Sequence, residues 1–117
     1  MKGIVGTRML MRVFIKETDR YQGQPLYLAL LTLFKEKGLK GGTALRGIAG
    51  FGAHSEIHTD RILRLTQDLP TVVEVVDAEE AIRAVLPQVD EMVTSGLITL
   101  EKAEVIVYSH PKQRENG

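Results

Sequence analysis

The sequence predicts an α+β domain of ferredoxin-like type: the order β-α-β-β-α-β, a four-stranded antiparallel sheet, and both helices on one face. Three patterns predict it. Apolar residues alternate at Met9, Met11, Val13 and Ile15, and β-branched residues crowd positions 71–76, both signals of extended chain. Two other stretches, one opening at Pro25 and one at Asp77, repeat apolar residues at helical spacing. Finally, 117 residues and 13.0 kDa support a single core rather than two. The whole of 1–117 is therefore read as one domain with its core over about 9–108, a flexible N-terminus at 1–8 and a tail at 110–117.

The first strand is expected over 9–16. A polar stretch holding Gly23 follows, and Pro25 then sits where a first helical turn tolerates a missing N–H. Helix one is expected over about 25–37, because Leu26, Ala29, Leu30, Leu33 and Phe34 share a face and Gly38 suits a left-handed cap. Strand two spans the segment from Thr43 to Gly52, whose glycines predict a bulge or a close backbone approach. A flexible tip is expected next, and 53–68 fits either a short helical turn or a brief strand. Strand three is expected over 71–76. Asp77 with Glu80 three residues on reads as a capped start to helix two, which places Ile82, Val85, Leu86, Val89, Met92 and Val93 on one face and stops at Gly96. Pro87 inside it predicts a kink, or two pieces, near 83–87. Strand four is expected over 103–108, with Val105 beside Val13 and Val73 on the helix side. The opposite face, with Leu10, Arg12, Phe14, Val72, Glu74, Val76, Glu104, Ile106 and Tyr108, is too apolar to stay wet, so a homo-oligomer packed through its sheets is expected. There Arg12 is expected to pair with Glu74 or Glu104.

Composition narrows the function. Fifteen basic residues balance fifteen acidic ones, so bulk positive charge does not draw this chain to nucleic acid. The absence of cysteine excludes disulfides, thiolate nucleophiles and cysteine-held metals. No signal peptide and no apolar run long enough for a membrane helix is visible, and a cytoplasmic location without membrane insertion is expected.

Six of the eleven glycines, Gly38, Gly41, Gly42, Gly47, Gly50 and Gly52, fall in one short stretch. Glycine lets main-chain N–H groups close on a phosphate, although a bulged hairpin needs the same residues for geometry alone. The spacing matches neither the dinucleotide fingerprint nor the phosphate loop of nucleotide hydrolases. Arg46, Arg61 and Arg64 flank the stretch and can grip phosphate oxygens in a fork. His54, Glu56 and His58 alternate as possible metal ligands but lack an identifiable fourth. No nucleophile stands beside a base at a definable spacing, and Glu17 is the sole candidate for a titrating group in a cleft.

The run Gly42-Thr43-Ala44-Leu45-Arg46-Gly47-Ile48-Ala49-Gly50-Phe51-Gly52, followed by His58-Thr59 and Leu69-Pro70, resembles the PII signal-transduction superfamily, and Arg46-Gly47-x-x-Gly50-Phe51-Gly52, Asp68-Leu69-Pro70 and Gly96-Leu97-Ile98 are points specific to one family within it. Over about 9–108 the chain resembles, within it, the PII-like family numbered 190 among domains of unknown function. The resemblance implies a homotrimer, with an adenine nucleotide bound between subunits as a regulatory ligand and no other cofactor. It implies a mobile loop that reports occupancy to a target, a transporter or a metabolic enzyme, and no catalysis. By position, Thr43, Gly50, Phe51 and Gly52 correspond to one part of the cleft, and Gly96, Leu97 and Ile98 to the glycine turn after helix two. PII proteins carry a basic residue soon after that turn and an arginine pair near the C-terminus. Here stand Thr99, Leu100, Glu101 and Lys102, then Lys112 and Arg114 in the tail. With Arg46, Arg61 and Arg64 as substitutes, this thinner complement favours AMP or ADP over ATP. The alternatives are a metal-responsive trimer of the copper-tolerance type using His54, Glu56 and His58, and a small isomerase or lyase using Glu17.

Overall fold

Alternation of side chains about β1 (Gly6–Lys16) organises the molecule. Met9, Met11, Val13 and Ile15 are buried on one side, while Leu10 and Arg12 are half-buried and Phe14 exposed on the other. In the computed structural model, which describes residues 5–52, 57–59 and 69–109, β1 is a central strand. It pairs antiparallel with β7 (Pro70–Asp77) on one flank and β8 (Leu97–Val105) on the other, and β4 (Thr43–Arg46) closes the far edge against β7. The order β4-β7-β1-β8 is that of the ferredoxin-like sheet. Helices α1 (Leu26–Glu36) and α2 (Glu79–Met92) pack their apolar stripes on the odd-numbered side of β1. Leu30, Phe34, Ile82 and Val89 there meet Met11, Val13 and Val73.

Local chemistry explains the boundaries. The short strands β2 (Arg20–Tyr21) and β3 (Gln24–Pro25) form a hairpin whose turn residues Gln22 and Gly23 both have positive φ, the twist that two-residue hairpins favour. At the end of α1, Gly38 has φ +82, its N–H donates to Lys35 O at 3.1 Å, and Leu39 N–H donates to Phe34 O at 3.0 Å, which is a Schellman closure. Strand β4 stops at Arg46. Beyond it β5 (Ala49–Gly50) pairs with β6 (His58–Thr59) in a separate ribbon, so the expected single strand from Thr43 to Gly52 is two. The break has a cause: Gly47 N–H still donates to Pro70 O at 2.7 Å, in register with Arg46 and Thr71, but Pro70 has no N–H to return the bond, and a Cβ at Gly47 would stand 2.9 Å from Pro70 Cγ.

Other expectations change as well. Asp77 does not cap α2, whose N-cap is Ala78 with no side-chain bond. It ends β7, buried, accepting from Ala78 N–H at 2.7 Å and from Lys40 N–H at 2.9 Å, and so ties the α1–β4 turn to the β7–α2 corner. Helix α2 runs unbroken through Pro87, because Pro87 and Arg83 lie on its exposed side, where water can replace the missing donor. The helix ends at Met92 with Val93 extended, so Gly96 is not its cap. Gly96 instead passes so near β1 that a Cβ would lie 2.5 Å from Phe14 O. As a result β8 starts at Leu97 rather than near Ala103, and its phase is reversed from expectation. Ile98 and Leu100 face the helices, whereas Val105 stands opposite Gly6 on the open side. Ile106 and Tyr108 follow the strand, and Tyr108 donates its hydroxyl to Lys40 O at 3.0 Å. At the other end, β1 begins at Gly6, so residues 6–8 are strand rather than a loose terminus.

Candidate functional site

The open face of the sheet is ordered in rows. Leu45 of β4 faces Val72 of β7, Val72 faces Phe14 of β1, and Phe14 faces Leu97 of β8, giving an apolar row across all four strands. Leu45, Phe14 and Leu97 are 49%, 37% and 56% exposed. The adjoining row is polar: Thr43, Glu74, Arg12 and Thr99. Arg12 donates from Nε to Glu74 Oε2 at 2.8 Å and from Nη1 to Glu101. The bond to Glu74 is the largest of the effects that raise the guanidinium pKa above its ordinary value. Glu74 was expected as the partner. Glu104 is not the second, because the reversed phase of β8 turns it to the helix side, where it accepts from Thr7 Oγ1 at 3.1 Å.

The candidate binding residues fall at the two edges of this sheet. On the β4 edge, Thr43 is exposed, Arg46 ends the strand, Gly50 lies in β5, and Phe51 and Gly52 follow it in the open. Ile48 and Phe51, 79% and 71% exposed, make this the most apolar exposed corner of the β4 edge. On the β8 edge stand Gly96, exposed Leu97 and half-buried Ile98. Strands β7 and β1 separate the two groups, and at about 4.8 Å per strand the edges are about 14 Å apart. One chain therefore does not bring them together. Arg61, Arg64, His54 and Glu56 lie outside the described residues, and of His58 only its backbone pairing with Gly50 is described. Among the described residues no group of three His, Cys, Asp or Glu could hold a metal ion.

Each edge has its own hollow. Beside β4 a cavity of about 150 Å³ is lined by Glu17, Tyr27, Ala44, Leu45, Arg46 and Thr71. Its rim carries an ion pair, Arg46 Nη2 to Glu17 Oε2. Both partners are set by the start of β7: Glu17 N–H donates to Leu69 O at 2.7 Å, and Gly47, next to Arg46, donates to Pro70 O. Beside β8 an open groove of about 630 Å³ runs between α2 and the strand, over Arg83, Leu86, Pro87, Asp90, Ile98 and Leu100. The Glu17–Arg46 contact was invisible in the sequence, where the two residues are 29 apart and seemed to belong to different readings. The topology that sets β1 and β4 on either side of β7 is what joins them.

Comparison with known proteins gives this arrangement a lineage. The family model DUF190, described as "Uncharacterized ACR", matches residues 8–105. The chain belongs to this family. A UPF0166 protein of Aquifex aeolicus is 42% identical over 99 residues, covering 85% of this chain and 93% of that protein. A UPF0166 protein of Methanocaldococcus jannaschii is 33% identical over 97 residues, covering 82% and 89%. Among solved structures, the chain is similar to CPII, a nitrogen regulatory PII-like protein from Thiomonas intermedia K12, bound to ADP, AMP and bicarbonate. One such structure aligns with TM-score 0.62 at 14% identity, covering 85% of this chain and 94% of that one. A second gives TM-score 0.63 at 16% identity, covering 85% and 88%. At this identity the likeness establishes the fold, which is PII-like. No described helix is long and apolar enough to cross a membrane.

Proposed function

We propose that the chain is a regulatory protein of PII-like type: three copies assemble, an adenine nucleotide binds in the clefts between them, and occupancy is passed to a target protein without any reaction being catalysed. The observation that carries this reading is the placement of the glycine-rich stretch at β4 and of the Gly96 turn before β8. They lie on opposite edges of one sheet, about 14 Å apart across an apolar open face, so a cleft using both needs the β4 edge of one copy against the β8 edge of another. The nucleotide-bound state of the structurally similar CPII protein supports the choice of ligand.

In this reading Thr43, Arg46, Gly50, Phe51 and Gly52 form one wall and Gly96, Leu97 and Ile98 the other. Phe51, Ile48 and Leu97 offer apolar surface to the base, and Arg46 offers a guanidinium to a phosphate. Because Glu17 already neutralises Arg46, the positive complement is small, which suits AMP or ADP better than ATP. Arg61 and Arg64 add to this complement if they reach the cleft. Signalling requires the ligand to favour one state of the molecule over another, and a differential affinity of about 1–3 kcal/mol is enough for ordinary coupling. Titration calorimetry of the full chain with AMP, ADP and ATP tests the reading. Saturable binding, tighter for AMP or ADP, is expected, and silence with all three would remove the nucleotide from the account.

A further inference from the structure

The Glu17–Arg46 pair has a consequence for selectivity that neither residue has alone. Arg46 is the last residue of β4 and is exposed, while Glu17 follows β1 and is half-buried. Glu17 N–H is anchored on Leu69 O and the N–H of Gly47, next to Arg46, on Pro70 O, and the carboxylate meets the guanidinium at the rim of the 150 Å³ cavity. Arginine has five donors in a fork, and carboxylate and phosphate compete for the same geometry. A phosphate arriving at Arg46 must share it with an anion that is already seated. Any further phosphate brings another negative charge close to Glu17, and like charges at short range disfavour the complex in proportion to the ligand's charge.

We propose that Glu17 is a specificity-determining residue whose carboxylate, paired with Arg46 where the ends of β1 and β4 meet, limits how many phosphates a bound nucleotide carries. This rests on the nucleotide reading above and deepens it. The residue would act without touching the base, so an uncharged nucleoside is indifferent to it.

Calorimetric titration of the full chain with adenosine, AMP and ATP, comparing the unaltered protein with Glu17→Gln and Glu17→Asp, tests the assignment. Glu17→Gln is expected to tighten AMP by about twofold and ATP by about fivefold, the scale of a partly exposed ion pair, and to leave adenosine unchanged. Glu17→Asp keeps the charge and is expected to keep the original AMP-to-ATP ratio. An unchanged ratio in Glu17→Gln overturns the proposal. So does an equal shift in Glu17→Asp, or a shift in adenosine of the same size, because either reports a structural role. If neither the unaltered chain nor either variant binds AMP or ATP, the nucleotide reading itself falls and this proposal with it.

Discussion

The two faces of the sheet are built from the same strands and differ in one respect, completeness. On the helix side Met11, Val13, Val73, Leu30 and Ile82 are wholly buried within a single chain. On the other side Leu45, Val72, Phe14 and Leu97 form a continuous apolar row that one chain leaves open, bordered by Arg12 with Glu74 and Glu101. Residue parity along β1 alone decides which set a side chain joins. The contrast teaches that a single chain completes only one of the two faces. The covered face holds the fold, and the open face is the surface that the proposed assembly would cover with another copy.

The sharpest way to break that contrast is to damage the covered face. Phe34→Ala, at a site 1% exposed, is expected to cost about 3–5 kcal/mol in denaturant unfolding, by lost transfer energy and a residual cavity. The junction of the two faces comes next. Gly96→Ala places a methyl group against Phe14 O, a backbone atom that cannot swing aside, and about 1–3 kcal/mol of destabilisation is expected from thermal or chemical melts. Asp77→Ala strips partners from the N–H groups of Lys40 and Ala78, with about 1–3 kcal/mol expected and faster amide exchange at Lys40 as its local signature. The smallest effect belongs to the outer surface of α2. Arg83→Ala breaks the i,i+4 pair with Glu79 and is expected to cost about 0.2–0.5 kcal/mol, diminishing as salt is added. If Arg83→Ala proved as damaging as Phe34→Ala, the groove between α2 and β8 would hold structure that the burial pattern does not show.

Much of this architecture could be read in advance because it follows from periodicity. The odd-numbered apolar set of β1, the stripes of α1 and α2, the left-handed Gly38 and the β-branched run of β7 all stand where the pattern places them. What failed was whatever depended on a neighbour. Gly96 resembles a helix stop until Phe14 O lies against it, and the alternation at Ala103, Val105 and Val107 suggests a strand phase that Ile98 and Leu100, the residues of β8 packed on the core, reverse. Asp77 has the residue type of an N-cap, but its carboxylate is taken up by Lys40 from another corner of the fold. In the candidate site the glycines and Arg46 were legible as residue types, whereas the pairing of Arg46 with Glu17 depends on strand order. The two-edge separation is likewise a property of topology, and residue spacing contains no trace of it.

Sedimentation equilibrium across a wide range of protein concentration, on the unaltered chain and on Leu45→Asp, tests most directly whether the open face closes against other copies. The account predicts an assembly of three times the 13.0 kDa chain mass for the first, and dissociation towards single chains when a charge is set into the apolar row of the second. A mass of 13.0 kDa for the unaltered chain at every concentration would contradict it.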